Sequence, residues 1–220
     1  MALPVLVIGR SGSGKTYSLK NFAPEEIGVI SVEKGRLPFK SGIQVVKVPA
    51  DFPSIQTAAQ MSAAKYAWIM NIIRQAKVKT LVIDDSQYLL VNELFDRANE
   101  RGYDKFIDMA AHFRQLIHFI NELPDEDKIV YFLHHSEIDT DGREKVKTIG
   151  KMLDEKLTVE GCFDIVLYCL DHKFYTQANG QSTAKSPEDM FPLEIPNDLK
   201  AVDTAIRKYY GMQRNGGDGA

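Results

Sequence analysis

The sequence predicts an α/β fold: a mostly parallel sheet flanked by helices, with a β-hairpin toward the C-terminus. Three observations carry this prediction. Short apolar runs alternate with longer stretches whose apolar residues recur at helical spacing, the pattern of parallel strands joined by crossover helices. The first run, residues 4–8, leads directly into a glycine-rich turn. A later run, residues 79–84, stops on two adjacent carboxylates, Asp84 and Asp85. The chain has 220 residues, 44% hydrophobic and 26% charged, enough apolar surface to bury a core. Residues 1–210 are expected to form one domain and residues 211–220, which close on Gly-Gly-Asp-Gly-Ala, a flexible tail.

Each element follows from local pattern. Residues 4–8 read as a buried strand, and 15–21 as a short helix ended before Pro24. Residues 28–32 and 43–48 are the second and third strands. Apolar residues over 63–76 recur at helical spacing, and 79–84 form the acid-terminated strand. Residues 106–123 are an amphipathic helix closed by Pro124. Residues 128–133 form a buried strand ending on His134 and His135. Residues 138–151 are polar, charged and glycine-bearing, and are expected to be a mobile loop. A strand follows over 164–170. Segments 174–177 and 182–185 flank Asn179-Gly180, the strongest hairpin signal in the chain. Residues 197–210 close the fold as a helix.

Composition removes several classes. Lys and Arg number 27 against 30 Asp and Glu, a formal charge of −3, so any nucleic-acid contact must be local. Cys162 and Cys169 lack a CxxC pattern and clustered histidines, which argues against a disulfide scaffold or zinc. The N-terminal apolar run is too short for a signal peptide, and nothing approaches the roughly 20 apolar residues of a membrane span. A cytoplasmic protein without membrane association is expected.

The residues Gly9, Arg10, Ser11, Gly12, Ser13, Gly14, Lys15 and Thr16 match G-x-x-x-x-G-K-[ST] in full. Glycines let the backbone curl so that successive N–H groups face phosphate oxygens. Lys15 would reach the β- and γ-phosphates of ATP, and the Thr16 hydroxyl would sit on Mg²⁺. Accidental matches arise in fewer than roughly one chain in a hundred of this length. Here the pattern also follows an apolar strand and precedes a helix, as phosphate binding requires. Asp84, directly after its apolar run, is the first choice for the Mg²⁺ carboxylate; Asp85 is its second candidate, or else orients water or faces solvent. Glu33, closing the second strand, either polarises the attacking water or is an ordinary surface carboxylate. Of His134 and His135, strict alternation lets only one face the nucleotide, with the other a buried, satisfied imidazole.

Taken together, the N-terminal P-loop, Glu33, Asp84 and the histidine-terminated strand resemble the ATPase core of the RecA-like recombinases. More closely, the chain resembles the small phage-encoded RecA-like ATPases, including the single-strand annealing group named Sak four. Residues 147–166, Thr183 to Pro187 and Ile195 to Asp198 share that likeness. The resemblance implies that Glu33 is the catalytic glutamate and His135 (or His134) the polar sensor of nucleotide state. Residues 138–151 would be the DNA-binding loop, with Arg143, Lys145, Lys147 and Lys151 on a phosphate backbone. Lys185 would reach ATP on a neighbouring subunit, and the chain would self-associate into a ring or filament. The loop also holds Asp139, Asp141 and Glu144 and no aromatic residue on which a base could stack.

The implied function is Mg²⁺-dependent ATP hydrolysis coupled to single-stranded DNA in phage recombination or replication, by annealing or strand exchange. A single-strand-binding protein is a further implied partner. Two alternatives stand beside it: a loader or assembly switch gated by nucleotide with little turnover, and a P-loop small-molecule kinase. The kinase would want an arginine-rich lid, and the 138–151 segment holds one arginine.

Overall fold

The structure is a computed structural model describing residues 1–150 and 158–214. Lys151 and most of the expected tail lie outside the described residues. Among the described residues nine strands form one mixed sheet: β1 (Leu3–Gly9), β2 (Ile27–Ser31), β3 (Val45–Lys47), β4 (Thr80–Asp84), β5 (Ile129–Ile138), β6 (Glu144–Val146), β7 (Ile165–Leu170), β8 (Lys173–Tyr175) and β9 (Glu194–Pro196). The order is β3-β2-β4-β5-β1-β7-β8-β9, parallel through β7 and antiparallel beyond, with β6 antiparallel to β5 off this path. Strand β5, which carries the two histidines and runs on past them to Ile138, therefore lies between the P-loop strand and the acid-terminated strand.

Period-2 alternation divides the core into two layers. Leu6, Ile8, Val130 and Phe132 face α1 (Ala58–Gln75), α2 (Gln87–Asp96) and α3 (Asp104–Glu122), meeting Ile69, Leu90, Phe113 and Ile117. Val5, Val7, Tyr131 and Leu133 face the opposite layer, made by a 3₁₀ turn (Thr16–Asn21) and α4 (Leu199–Tyr210), through Leu19, Val202 and Ile206. Thr57 caps α1 by accepting from Gln60 N. Asp198 caps α4 by accepting from the amides of Lys200 and Ala201, and Gly211 ends it at φ 69°. No helix among the described residues is long and apolar enough to cross a membrane.

A buried polar network ties α4 to the sheet. Asp203 accepts hydrogen bonds from Thr80 Oγ1 (3.0 Å), Tyr131 Oη (3.2 Å) and Arg207 Nε (2.7 Å). Asp203→Ala leaves the Arg207 guanidinium without its carboxylate and should cost about 3–5 kcal/mol. Urea unfolding checks this through a lowered midpoint at unchanged slope; a loss below about 1 kcal/mol would show the network to be dispensable.

Two expectations are corrected. Asn179-Gly180 does form a turn, with Gly180 at φ 81° and Asn179 Oδ1 accepting from Gln181 N. Its flanks do not pair with each other, however: Ser182 bridges to Glu144 and Lys185 to Val166. The hairpin is instead β7–β8, turned by Asp171 and His172, both left-handed at φ 48° and 57°. Residues 138–151 are not simply a loop, since β5 runs to Ile138 and β6 pairs back onto it. Asp139 organises that turn, its carboxylate accepting from the amides of Asp141 and Arg143.

Candidate functional site

The strand ends at the carboxyl side of β1, β4 and β5 open onto a cavity of about 540 Å³, lined by Gly12, Gly14, Lys15, Thr16, Asp84, Asp85 and His135. A ligand is expected at this end of a parallel sheet. The loop over it is fastened from behind by the C-terminal third of the chain. Asn197 Nδ2 donates to Gly14 O (3.0 Å), His172 N to Ser13 O (3.2 Å) and Cys169 Sγ to Ser13 O (3.2 Å). Gly14 sits at φ 108°, and a Cβ there would lie 2.5 Å from Asn197 Nδ2 and 2.8 Å from His172 Nδ1. Only glycine meets both demands. Ser13 Oγ is buried with no partner among the described residues.

Lys15 is 7% exposed and donates from Nζ to Gly9 O (2.6 Å) and Arg10 O (2.9 Å). Burial lowers its pKa, opposed by Cys169, Asp85 and Asp84. Two loop carbonyls thus occupy an ammonium that phosphate oxygens would satisfy better. Thr16 Oγ1 donates to Asp84 Oδ1 at 2.9 Å. Burial, then the neighbouring Asp85 charge, raise the Asp84 carboxyl to about 6. A buried, repelled carboxylate beside a hydroxyl suits a divalent cation, which relieves both penalties. Among the described residues no three His, Cys, Asp or Glu side chains cluster to hold a metal alone. Thr16 and Asp84 therefore fit Mg²⁺ shared with phosphate and water, and the ion would supply charge neutralisation of the phosphates.

Asp85 follows at φ 59°. The His135 ring, 3.5 Å away through Nε2, is the main cause holding its carboxyl below the ordinary range, against burial; Lys34 Nζ lies 4.0 Å off. Alternation along β5 places His135 on the loop side and His134 on the opposite one. His134 is fully buried, its Nδ1 2.9 Å from Ser86 Oγ and its Nε2 2.9 Å from Lys147 O. Of the two readings left open for the pair, His134 takes the buried one, a core imidazole with both nitrogens engaged. Burial depresses its pKa to about 3.

Asp84 and His134 act oppositely on stability. Asp84, raised from 3.8 to about 6, makes the metal-free protein less stable as pH climbs from about 4 to 6. His134, depressed from 6.5 to about 3, makes it less stable as pH falls below 6.5. Each term approaches about 1.4 kcal/mol per pH unit, so the two nearly cancel between pH 4 and 6. Asp84→Asn should unmask the histidine term, and urea unfolding across that window should show stability falling more steeply with acidification than in the parent.

Other expected site residues lie elsewhere. Glu33 lines a separate cavity beside α1 and α2, because the chain bends after Ser31 (Gly35 N donates to Ser31 Oγ) and sends Lys34 and Arg36 over the P-loop instead. The Arg10 side chain leaves the loop for Glu144 on β6, 2.5 Å away, and only its carbonyl serves the site. Arg143 pairs with Asp139 and Asp141, and Lys145 with Glu137 at 3.5 Å, so these cations are already matched by acids of the same hairpin. Lys147 is exposed. Lys185 is held by backbone bonds to Val166 and lines a different cavity, with Lys145 and Thr183. Asn197, His172, Cys169, Lys34 and Glu144 were missed as site residues. Only Asn197 carried any signal, as part of the Ile195 to Asp198 likeness.

A family profile described as an AAA domain matches residues 1–191. No curated protein matches. Among solved structures, the chain is similar to a prototypical ATPase from the type III secretion system of pathogenic bacteria. That alignment has a TM-score of 0.46 and 14% identity, and covers 76% of this chain and 50% of the other. The chain thus spans about half the length of that ATPase.

Proposed function

Because the chain belongs to the AAA domain family and carries a RecA-like P-loop core, we propose that it binds ATP with Mg²⁺ at Lys15, Thr16 and Asp84 and hydrolyses it. The observation that carries this reading is the meeting of the Lys15 ammonium and the Thr16–Asp84 pair in one cavity of nucleotide size. Lys15 and the loop amides hold the phosphates. Asp85, ionised and held by His135, is the carboxylate facing the cavity from which an attacking water can be oriented. His135 then reads the phosphate end, next to the strand that continues into β6.

The finer reading is that this ATPase acts on single-stranded DNA in phage recombination or replication and works as a ring or filament, with Lys185 reaching a neighbour's ATP. It rests on the resemblance to the phage RecA-like group, and the exposed Lys147 on the hairpin side supports it. One observation favours a second reading, a nucleotide-gated switch with little turnover: Glu33 faces away from the P-loop cavity. Steady-state ATP hydrolysis with and without single-stranded DNA separates the two. Stimulation by DNA, lost in Lys15→Ala, supports the recombinase reading. Tight ATP binding with negligible turnover under both conditions supports the switch.

A further inference from the structure

The chain leaves β2 by a turn that is fastened beside the nucleotide cavity. Val32 N donates to Asp84 O (3.1 Å), and Gly35 N to Ser31 Oγ (2.9 Å), with Gly35 left-handed at φ 69°. A Cβ on Gly35 would meet only the Lys47 side chain, at ordinary contact distance, so the backbone conformation itself calls for glycine. The turn sends the following residues over the P-loop, where Lys34, Arg36, Leu37 and Pro38 line the cavity. Beyond Arg36 the segment is fixed again. Leu37 and Phe39 pack against the core layer that holds Leu19, and the Phe39 ring meets Tyr17 edge-on at 6.1 Å. Arg36 is thus carried on a stretch anchored on both sides.

Charge gives that stretch a task. Among the residues lining the cavity, Lys15 is opposed by Asp84 and Asp85, so the loop and the end of β4 alone offer a polyphosphate no net positive charge. The balance comes from Lys34 and Arg36. Lys34 Nζ stands 4.0 Å from Asp85 Oδ2, and its charge acts on Asp85 and Lys15 alike. Arg36 is exposed and makes no hydrogen bond or ion pair among the described residues. Its planar guanidinium presents paired N–H donors in the geometry that phosphate oxygens accept.

Resting on the ATP-hydrolysing reading above, we propose that Arg36 is a catalytic residue supplied in cis, its guanidinium donating to the phosphate oxygens of ATP. In the reaction, water bonds the γ-phosphorus and the bond to the bridging oxygen breaks, its electron pair leaving with ADP. One water proton stays on inorganic phosphate and the other leaves past Asp85 to solvent. Arg36 stabilises the charge that shifts toward the departing oxygen.

Steady-state kinetics, with ATP binding followed alongside by calorimetry, tests this. Arg36→Ala should lower kcat about 10²-fold, the low end for one charge-assisted donor because the guanidinium is open to water. The Kd for ATP should change by less than about threefold, since the contact strengthens only as the reaction proceeds. Urea unfolding should match the parent, because the side chain makes no bond to the fold. Added guanidinium chloride, kept well below denaturing concentrations, should restore part of the lost turnover, as repair of a structural defect would not. Mixing Arg36→Ala with Lys15→Ala chains should leave turnover low, because an intact Arg36 on one chain cannot serve the site of another. Parental kcat in Arg36→Ala, or turnover regained on mixing, would overturn the cis assignment and leave hydrolysis standing. A parent chain that binds ATP without turning it over would overturn the hydrolysis reading, and this assignment with it.

Discussion

Lys15→Ala should lower ATP turnover by about 10²–10³-fold and ATP affinity by about tenfold or more. The lysine supplies a charge-assisted donor to phosphate oxygens, and one such donor aimed at a developing charge is worth that much in rate. The fold should survive. In the free protein Lys15 pays a desolvation penalty, seen in its lowered pKa, and its ammonium is satisfied by only two backbone carbonyls. Circular dichroism and urea unfolding should therefore show a protein as stable as the parent, while the initial rate of phosphate release collapses. A variant that hydrolyses ATP at the parental rate would remove the P-loop from the account.

Asp84→Asn should move activity and stability in opposite directions. The amide oxygen can still accept from Thr16, so local geometry is kept, but the charge that would neutralise a bound cation is gone. Mg²⁺-dependent turnover should fall by about 10²–10³-fold. The metal-free protein at neutral pH should become more stable, by up to about 3 kcal/mol. That is the free energy of holding ionised a carboxylate whose pKa is raised from 3.8 to about 6. The sign is set by burial first and by Asp85 second. In the parent, protons compete with the cation for Asp84 below about pH 6, so apparent Mg²⁺ affinity should rise with pH and level off above that value. A less stable Asp84→Asn protein would mean that Asp84 serves the fold and not the site.

How much of this was legible in the sequence depended on the range of the cause. The P-loop and the Asp84 strand were readable because their determinants are local: glycines at fixed spacing, and an apolar run interrupted by an acid. The parallel sheet followed from the same alternation. Helix α2 was not anticipated; it spans only Gln87–Asp96 and begins almost directly after β4, with no side-chain cap on its first turn. The β7–β8 turn was hidden because Asp171 and His172, not glycine, take the left-handed conformation. The Asn179-Gly180 signal was real as a turn but was overridden by the pairing of its flanks with Glu144 and Val166.

The site divides in the same way. Which of His134 and His135 meets the nucleotide cavity follows from register with β1, where Gly9 lies opposite His135. The side on which Glu33 emerges depends on a bend that residue spacing does not encode. Asn197 and Cys169 reach the loop from more than 150 residues away in the chain. No local pattern announces a fastening that only the finished sheet brings together.

Calorimetric titration of the parent chain with ATP, with and without Mg²⁺, tests the central claim most directly. One saturable site per chain is expected, tightened by Mg²⁺ and abolished or strongly weakened in Lys15→Ala. Absence of saturable ATP binding, or binding indifferent to both Mg²⁺ and Lys15, would contradict it.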